Sequence, residues 1–393
     1  MLKKIVNVAN KIVPKKNMIL FNSFPDISGN SLMLYRYMAE HQREFLKSVQ
    51  VVWSIQGDDE KLARKLLESV SDYSDFKICK KKSIAGLWRL CRSKYIISTH
   101  NYITGIKSHG EQKHYNLWHG MPFKAIGSMV ENGGAGDVIQ ADYTLATSEV
   151  FQDIMSKAFS LPTERVMITG QPCNDILFFE NKALEKLGIA KEQFKKVLLW
   201  MPTYRKSMVG SIREDGDVNA FGVVDIFENH FEELTALLQA EGILLLIKPH
   251  PMDVICQMKL KTTPYIKVFQ NKDLDAAGVV LYELLAESDV LFTDYSSVFI
   301  DYLNLDRPIA FVCDDIESYA ANRGFCFEPV REYLPGEIIH NYEELTQYLR
   351  NMDSLNDKWE EKRKEINKVF NQYSDSQSSE RVFKFIFGKK DRR

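Results

Sequence analysis

Four short polar segments each follow an apolar run, where the carboxyl end of a strand would meet a loop, and each carries side chains able to move a proton or hold a phosphate. In Asn116-Leu-Trp-His-Gly-Met-Pro-Phe-Lys124, His119 precedes Gly120, which lets a backbone or ligand approach closely. An imidazole titrates near neutral pH, the range in which it can take a proton from an attacking hydroxyl. In Ile247-Lys-Pro-His-Pro-Met252, two prolines remove backbone donors and stiffen the loop around His250, which fixes the direction in which the ring binds or protonates a phosphate oxygen; Lys248 adds charge. Trp200-Met-Pro-Thr-Tyr-Arg-Lys206 offers Thr203 and Arg205, whose guanidinium suits a two-pronged phosphate contact. In Asp289–Phe299, an apolar run ends at Thr293-Asp294, Tyr295 turns the chain, and Ser296-Ser297 open a helical run as capping serines. Free N–H groups and the positive end of that helix suit a phosphate or pyrophosphate. Taken singly, each segment fits a plainer role: a structural histidine, a solvated cation, an ordinary capped turn. Four together point to phosphate chemistry.

Side chains at strand ends work only if parallel strands bring those ends to one edge of a sheet. Apolar runs of strand length alternate with helical periodicity along most of the chain, which predicts α/β domains. Strands are expected near 18–21, 49–53, 95–98, 115–118, 143–147, 165–169, 197–203, 243–248, 265–269, 290–293 and 308–313. Helices are expected near 30–46, 58–69, 83–92, 148–159, 225–240, 280–287, 296–304, 342–351, 355–371 and 379–387. At 393 residues the chain is too long for one ordinary core. The expected organisation is a basic N-terminal segment (1–17), one α/β domain (18–190), a second (191–350) and C-terminal helices (351–393). Two α/β domains are a common plan for enzymes that bind a nucleotide between them.

Composition narrows the function. Lys and Arg total 51 against 53 Asp and Glu, so no net basic charge favours a nucleic acid, and no zinc-finger or RNA-binding aromatic signature is present. The 6 cysteines lack CxxC spacing and read as buried thiols of a reducing compartment. No apolar run reaches the ~20 residues of a spanning helix, and no secretory signal is visible. Residues 1–16 place Leu2, Ile5, Val6, Ala9, Ile12 and Val13 at helical spacing, with Lys3, Lys4, Lys11, Lys15 and Lys16 and no acid. Such a helix either lies in the interface of an anionic membrane or packs on the protein's own core. Lys389–Arg393 is a second basic end. Glu214–Asn219 lacks the later ligands of a calcium loop, and Gly133-Gly-Ala-Gly136 lacks the spacing of a dinucleotide fingerprint and reads as a segment over the site.

In this order and at these separations, the four segments resemble the CDP-glycerol glycerophosphotransferase family of teichoic-acid and capsule synthesis. The matching residues are Trp118-His-Gly120 with Pro122 and Lys124, Met201–Arg205, Lys248-Pro-His-Pro251, and Ser288-Asp289 through Thr293-Asp-Tyr-Ser-Ser297; Phe21–Ser31 resembles the family's N-terminal opening. The resemblance spans roughly residues 18–370 and implies two Rossmann-like domains of GT-B type with a helical tail. It also implies a CDP-polyol donor, a lipid-linked glycan acceptor and CMP as product. No carboxylate cluster suggests a bound metal, so no metal or cofactor is expected, and the composition with the basic N-terminal stretch leads to an expected place on the cytoplasmic face of the cell membrane. By the same resemblance His119 is the base, His250, Arg205, Ser296 and Ser297 hold the donor pyrophosphate, and Gly120, Lys124, Thr203, Lys248 and Asp294 line the substrates. Met121 departs from the family, which often has a small hydroxyl residue there. Rival readings are a ribitol-phosphate transferase, a sugar-nucleotide glycosyltransferase of the same fold, and a non-catalytic membrane assembly protein.

Overall fold

The computed structural model describes the chain except residues 1, 102–104, 130–139, 204–220, 251–252, 254–258, 353–356 and 389–393, and omits the side chains of 2, 322 and 323. Arg205, the Gly133–Gly136 segment, the acidic loop 214–219 and the basic C-terminal end lie outside the described residues. Contacts divide the chain into two units: 1–121, 126–175 and 371–393, and 122–125 with 176–370. The crossing at 175/176 lies ahead of the expected residue 190. Residues 371–393, expected to continue a tail from 351, belong with the first unit.

The N-terminal unit holds a seven-stranded parallel sheet in the order β3-β2-β1-β4-β5-β6-β7. These are β1 (Lys16–Asn22), β2 (Gln50–Ile55), β3 (Phe76–Lys80), β4 (Ser93–Ser98), β5 (Lys113–Asn116), β6 (Tyr143–Ala146) and β7 (Val166–Ile168). β1 is buried from Met18 to Asn22, so it reads as one apolar run with no alternation. Phe21 stacks on Trp53 at 4.9 Å, and the edge of Tyr35 from helix Gly29–His41 meets both rings. At the other side of the unit, helix Ser378–Phe387 sets Phe383 and Phe387 against Phe45, and Phe387 also against Tyr95. Asp175 fixes its start by accepting from Ser378 N and Ser379 N at 2.7 and 2.8 Å.

The N-terminal helix, Leu2–Ile12, packs one side on the protein's own core and leaves the other side exposed. Val6, with Ala9 and Val13, joins the core cluster of Met18, Leu20, Leu90 and Ile96. Asn7 and Asn10 donate to the carbonyls of Gly105 and Lys107. Its other side leaves Ile5, Val8 and Ile12 exposed. Lys15, one of the five lysines of this segment, turns inward: its ammonium donates to the Asn10 carbonyl, which satisfies the last turn of the helix, and to Asn10 Oδ1 and Cys91 O, each at 2.7 Å.

The second unit holds a six-stranded parallel sheet in the order β10-β9-β8-β11-β12-β13. Its strands are β8 (Lys196–Met201), β9 (Ile243–Ile247), β10 (Ile266–Val268), β11 (Val290–Thr293), β12 (Ile309–Val312) and β13 (Glu337–Ile339). Trp200, Leu245, Phe292 and Ala310 anchor a core against helices Val223–Asn229, Phe231–Glu241 and Tyr342–Asn351. In each unit the chain runs outward through three strands and then returns beside the first, so the order reverses at β1/β4 and at β8/β11. Ligands of open α/β sheets bind beyond the carboxyl ends of strands at such reversals.

Candidate active site

Residues at the N-terminal reversal come from the ends of β1, β4 and β5. His119 follows β5 by three residues and is exposed. Its Nδ1 lies 2.9 Å from the Thr99 carbonyl. A carbonyl only accepts, so Nδ1 carries the hydrogen and Nε2 keeps the lone pair. The ring stacks on His100 at 4.1 Å with 6° between planes, and Trp118 packs on it at the same separation. Crowding by protein lowers the His119 pKa, and the bond to Thr99 only partly opposes this. At pH 7 the ring is therefore neutral, with a basic nitrogen accessible.

The backbone ahead of this ring is held in an uncommon state. Trp118 has φ 50, the left-handed region that a bulky residue rarely adopts, and Gly120 has φ 134. Such a conformation costs on the order of 1–3 kcal/mol and persists only where its surroundings enforce it. Trp118 N donates to Asn116 Oδ1 at 3.0 Å, and its ring meets Phe159 edge-on at 5.0 Å. Asn30 Nδ2 donates to the carbonyls of Leu117 and Trp118 at 2.9 and 3.1 Å.

Two further groups here were not singled out from sequence. His100 lies two residues past β4, and burial pushes its pKa down to about 2, with His119 and Lys81 adding to the effect. Lys81, following β3, donates to Asn22 Oδ1 and Asn101 O at 3.3 and 3.4 Å, and burial lowers its pKa to about 8. A signal was available for both. His100 follows the apolar pair Ile96-Ile97, as His119 follows Tyr115, and residues 77–110 carry 8 lysines and arginines with no acid.

The C-terminal unit gathers Thr203, Lys248, His250, Asp294, Ser296 and Ser297 at the ends of β8, β9 and β11. The carboxylate of Asp294 accepts from Thr203 N at 3.0 Å and from Thr203 Oγ1 at 2.8 Å. Thr293 Oγ1 donates to Met201 O at 2.9 Å, so the two strand ends at the reversal are tied twice. Asp294 thus orients a neighbour, which explains how an acid stands at a site read as anionic-ligand binding. Lys248 is buried, and burial lowers its pKa to about 8 against the opposing pull of Asp275 and Asp273. Half-buried His250 accepts Asp253 N through its carbonyl at 3.0 Å.

Ser296 and Ser297 are half-buried at the start of helix Val298–Tyr302. The expected side-chain cap is absent: Ser297, the N-cap residue, has φ −61 and ψ −11 and makes no side-chain cap bond. A hydroxyl reaches back to the helix from extended backbone, and Ser297 is already helical. Lys124 groups with the C-terminal unit, where its ammonium lies 5.4 Å from the Tyr319 ring centre and Phe123 packs edge-on against Phe299. Met121 is fully buried in the N-terminal unit. Among the described residues no group of His, Cys, Asp and Glu is arranged to hold a metal ion.

Residues 5–388 match the family of CDP-Glycerol:Poly(glycerophosphate) glycerophosphotransferase. The chain belongs to this family. It is 28% identical over 354 residues to a teichoic acid poly(glycerol phosphate) polymerase of Bacillus spizizenii, covering 84% of this chain and 82% of that one. It is 27% identical over 399 residues to the teichoic acid glycerol-phosphate transferase of Staphylococcus aureus, covering 95% and 94%. The ribitol-phosphate polymerase TarK of Staphylococcus aureus is 25% identical over 410 residues, covering 98% of this chain and 71% of that one. The solved wall teichoic acid polymerase TagF shares the fold, with a TM-score of 0.76 at 22% identity over 98% of this chain and 92% of that chain. As a family member the protein is a transferase of the glycerophosphotransferase type, with two parallel-sheet α/β domains of GT-B-like fold.

Proposed function

We propose that the protein moves a polyol phosphate, glycerol phosphate first among candidates, from a CDP-polyol to a hydroxyl of a lipid-linked cell-wall or capsule glycopolymer, releasing CMP. The acceptor oxygen bonds to the phosphorus that bears the polyol, and the bond from that phosphorus to the bridging oxygen breaks. Its electron pair leaves with CMP, and the acceptor proton passes to His119 Nε2. The observation that carries this reading is the His119 ring itself: exposed, neutral, and locked by the Thr99 carbonyl into the tautomer with Nε2 free. Phosphoryl transfer demands positioning and charge stabilisation more than covalent chemistry. On the donor side His250, Lys248, Ser296, Ser297 and Arg205 supply positive charge and hydrogen-bond donors for the pyrophosphate. Asp294 and Thr203 shape the strand ends, with Gly120 and Lys124 as further substrate contacts.

Ribitol phosphate is the second reading, favoured by the likeness to TarK. Incubation with CDP-glycerol, CDP-ribitol or a UDP-sugar, each with lipid-linked acceptor, separates these by product mass and released nucleotide. CMP with a glycerol-phosphate mass increment supports the proposal; a UDP-sugar consumed in place of both CDP-polyols overturns it.

The acceptor's lipid gives the N-terminal helix a role. Helix Leu2–Ile12 lies against helix Ile84–Arg92, and the two helices expose Ile84 at 90% and Trp88 at 51%, and Ile5, Val8 and Ile12. Lys3, Lys4, Lys11 and Lys16 are exposed as well, and Arg92 sits over the Trp88 ring at 5.4 Å. Apolar side chains rimmed by cations suit an anionic bilayer surface. None of the described helices is long and apolar enough to cross a membrane. We place the protein peripherally at the cytoplasmic face of the membrane, a location tested by co-sedimentation with anionic liposomes. Binding that survives Ile84→Ser with Trp88→Ser would remove this face from the proposal.

A further inference from the structure

The arrangement that presents His119 is maintained by a residue remote in sequence. Asn30 is the second residue of helix Gly29–His41 and is 1% exposed. Its Nδ2 donates to the carbonyls of Leu117 and Trp118 at 2.9 and 3.1 Å and reaches Gln171 Oε1 at 3.3 Å. Its Oδ1 accepts Cys173 N at 3.0 Å. Donor and acceptor ends are both engaged, so the amide has one orientation. The two carbonyls it holds flank the backbone of Trp118, the residue with φ 50 next to His119. A peptide released from this hold would relax toward negative φ, swinging the following side chain off the Thr99 carbonyl and off the His100 ring.

We propose that Asn30 is a positioning residue for His119: it clamps the left-handed turn at Trp118, so that the imidazole keeps its tautomer and direction. Asn30 is buried and acts through the backbone of residues 117 and 118. The inference rests on the proposed role of His119 as the base. Four separate bonds carry it, together with the uncommon φ they enforce and the absence of a glycine at position 118 that would adopt that φ unaided.

The test uses Asn30→Ala and Asn30→Asp, the latter keeping the acceptor for Cys173 while turning an oxygen toward the two carbonyls. Asn30→Ser, small and still a donor, replaces Asn30→Ala if that variant does not fold. Two readings are taken on the full chain. In steady-state CMP release, kcat falls by roughly 10- to 100-fold while KM for the CDP-polyol stays within about twofold, the pattern of a misplaced base. In imidazole NMR without substrate, the His119 resonance, assigned by its loss in His119→Ala, departs from the Nδ1-protonated tautomer, and its pKa moves up toward 6.5. An unchanged kcat, a KM that rises in proportion, or a His119 signal unaltered by the substitutions overturns the clamp. If the wild-type protein releases no CMP from either CDP-polyol, the proposed function fails instead. The NMR reading still decides the clamp in that case.

Discussion

Two opposed influences set the charge of His119, crowding that disfavours the cation and the Thr99 carbonyl that favours it, with the first prevailing. A base must be unprotonated to act, so activity is lost as pH falls through its pKa. The acid limb of kcat/KM for CMP release should therefore have its midpoint below the ordinary histidine value of 6.5; a midpoint at or above it would contradict the assignment. His119→Ala should lower kcat about 1000-fold. The ring is exposed but stacks on His100 and Trp118 and bonds Thr99 O, so its removal should lower the unfolding free energy by about 1 kcal/mol, too little to unfold the protein. That His119 and His250 stand just past strand ends was legible because each comes three residues after an apolar strand, which local spacing reveals. His100 obeys the same rule, but its importance lies in a ring stack across 19 positions, and Asn30 acts across 87 and 88. No local pattern encodes such contacts.

At the scale of elements, a helix can serve two neighbours on opposite faces. Val6 and Val8 are chemically alike and two residues apart, yet one is 5% exposed and the other 59%. Val6→Asp buries an unpaired charge and should cost about 3 kcal/mol in chemical unfolding. Val8→Asp should leave stability within about 0.5 kcal/mol and weaken sedimentation with anionic liposomes at least about tenfold. The pair β4–β5 sets a second expectation. His114 bonds Ser98 Oγ through Nε2 at 2.7 Å, and burial pushes its pKa to about 4. Below 6.5 the unfolded chain takes up a proton that the folded chain refuses, so this site's contribution is intact above 6.5 and declines as pH falls toward 4. The loss is on the order of 3 kcal/mol, and His114→Gln should flatten it in a pH series of thermal midpoints. Most strands were readable as apolar runs, but β3 and β13 were not. Both are edge strands: β3 alternates lysines with apolar residues, and β13 has three residues of which one is buried. Edges are short and charged in ways that conceal them.

For the whole molecule, two α/β units were foreseeable from alternating patterns, whereas the path of the chain between them was not. Nothing in the spacing of Ser378–Phe387 says which sheet its apolar face will cover; that is decided by Phe45, Tyr95 and the Asp175 carboxylate. Removal of residues 371–393 should therefore speed amide hydrogen exchange in β1 and β4 at least about tenfold, while β8 and β11 exchange as before. Equal acceleration in both sheets would mean that the segment stabilises more than its own unit.

That layout also bears on how the protein is made. A ribosome releases all seven strands of the first sheet, then the 195 residues from 176 to 370, before the helix that covers Phe45 and Tyr95 can form. At ~5–20 residues per second the nascent first unit keeps an aromatic face uncovered for about 10–40 s. During translation that greasy face is a natural docking place for a chaperone, and slowing synthesis of the inserted unit lengthens the wait.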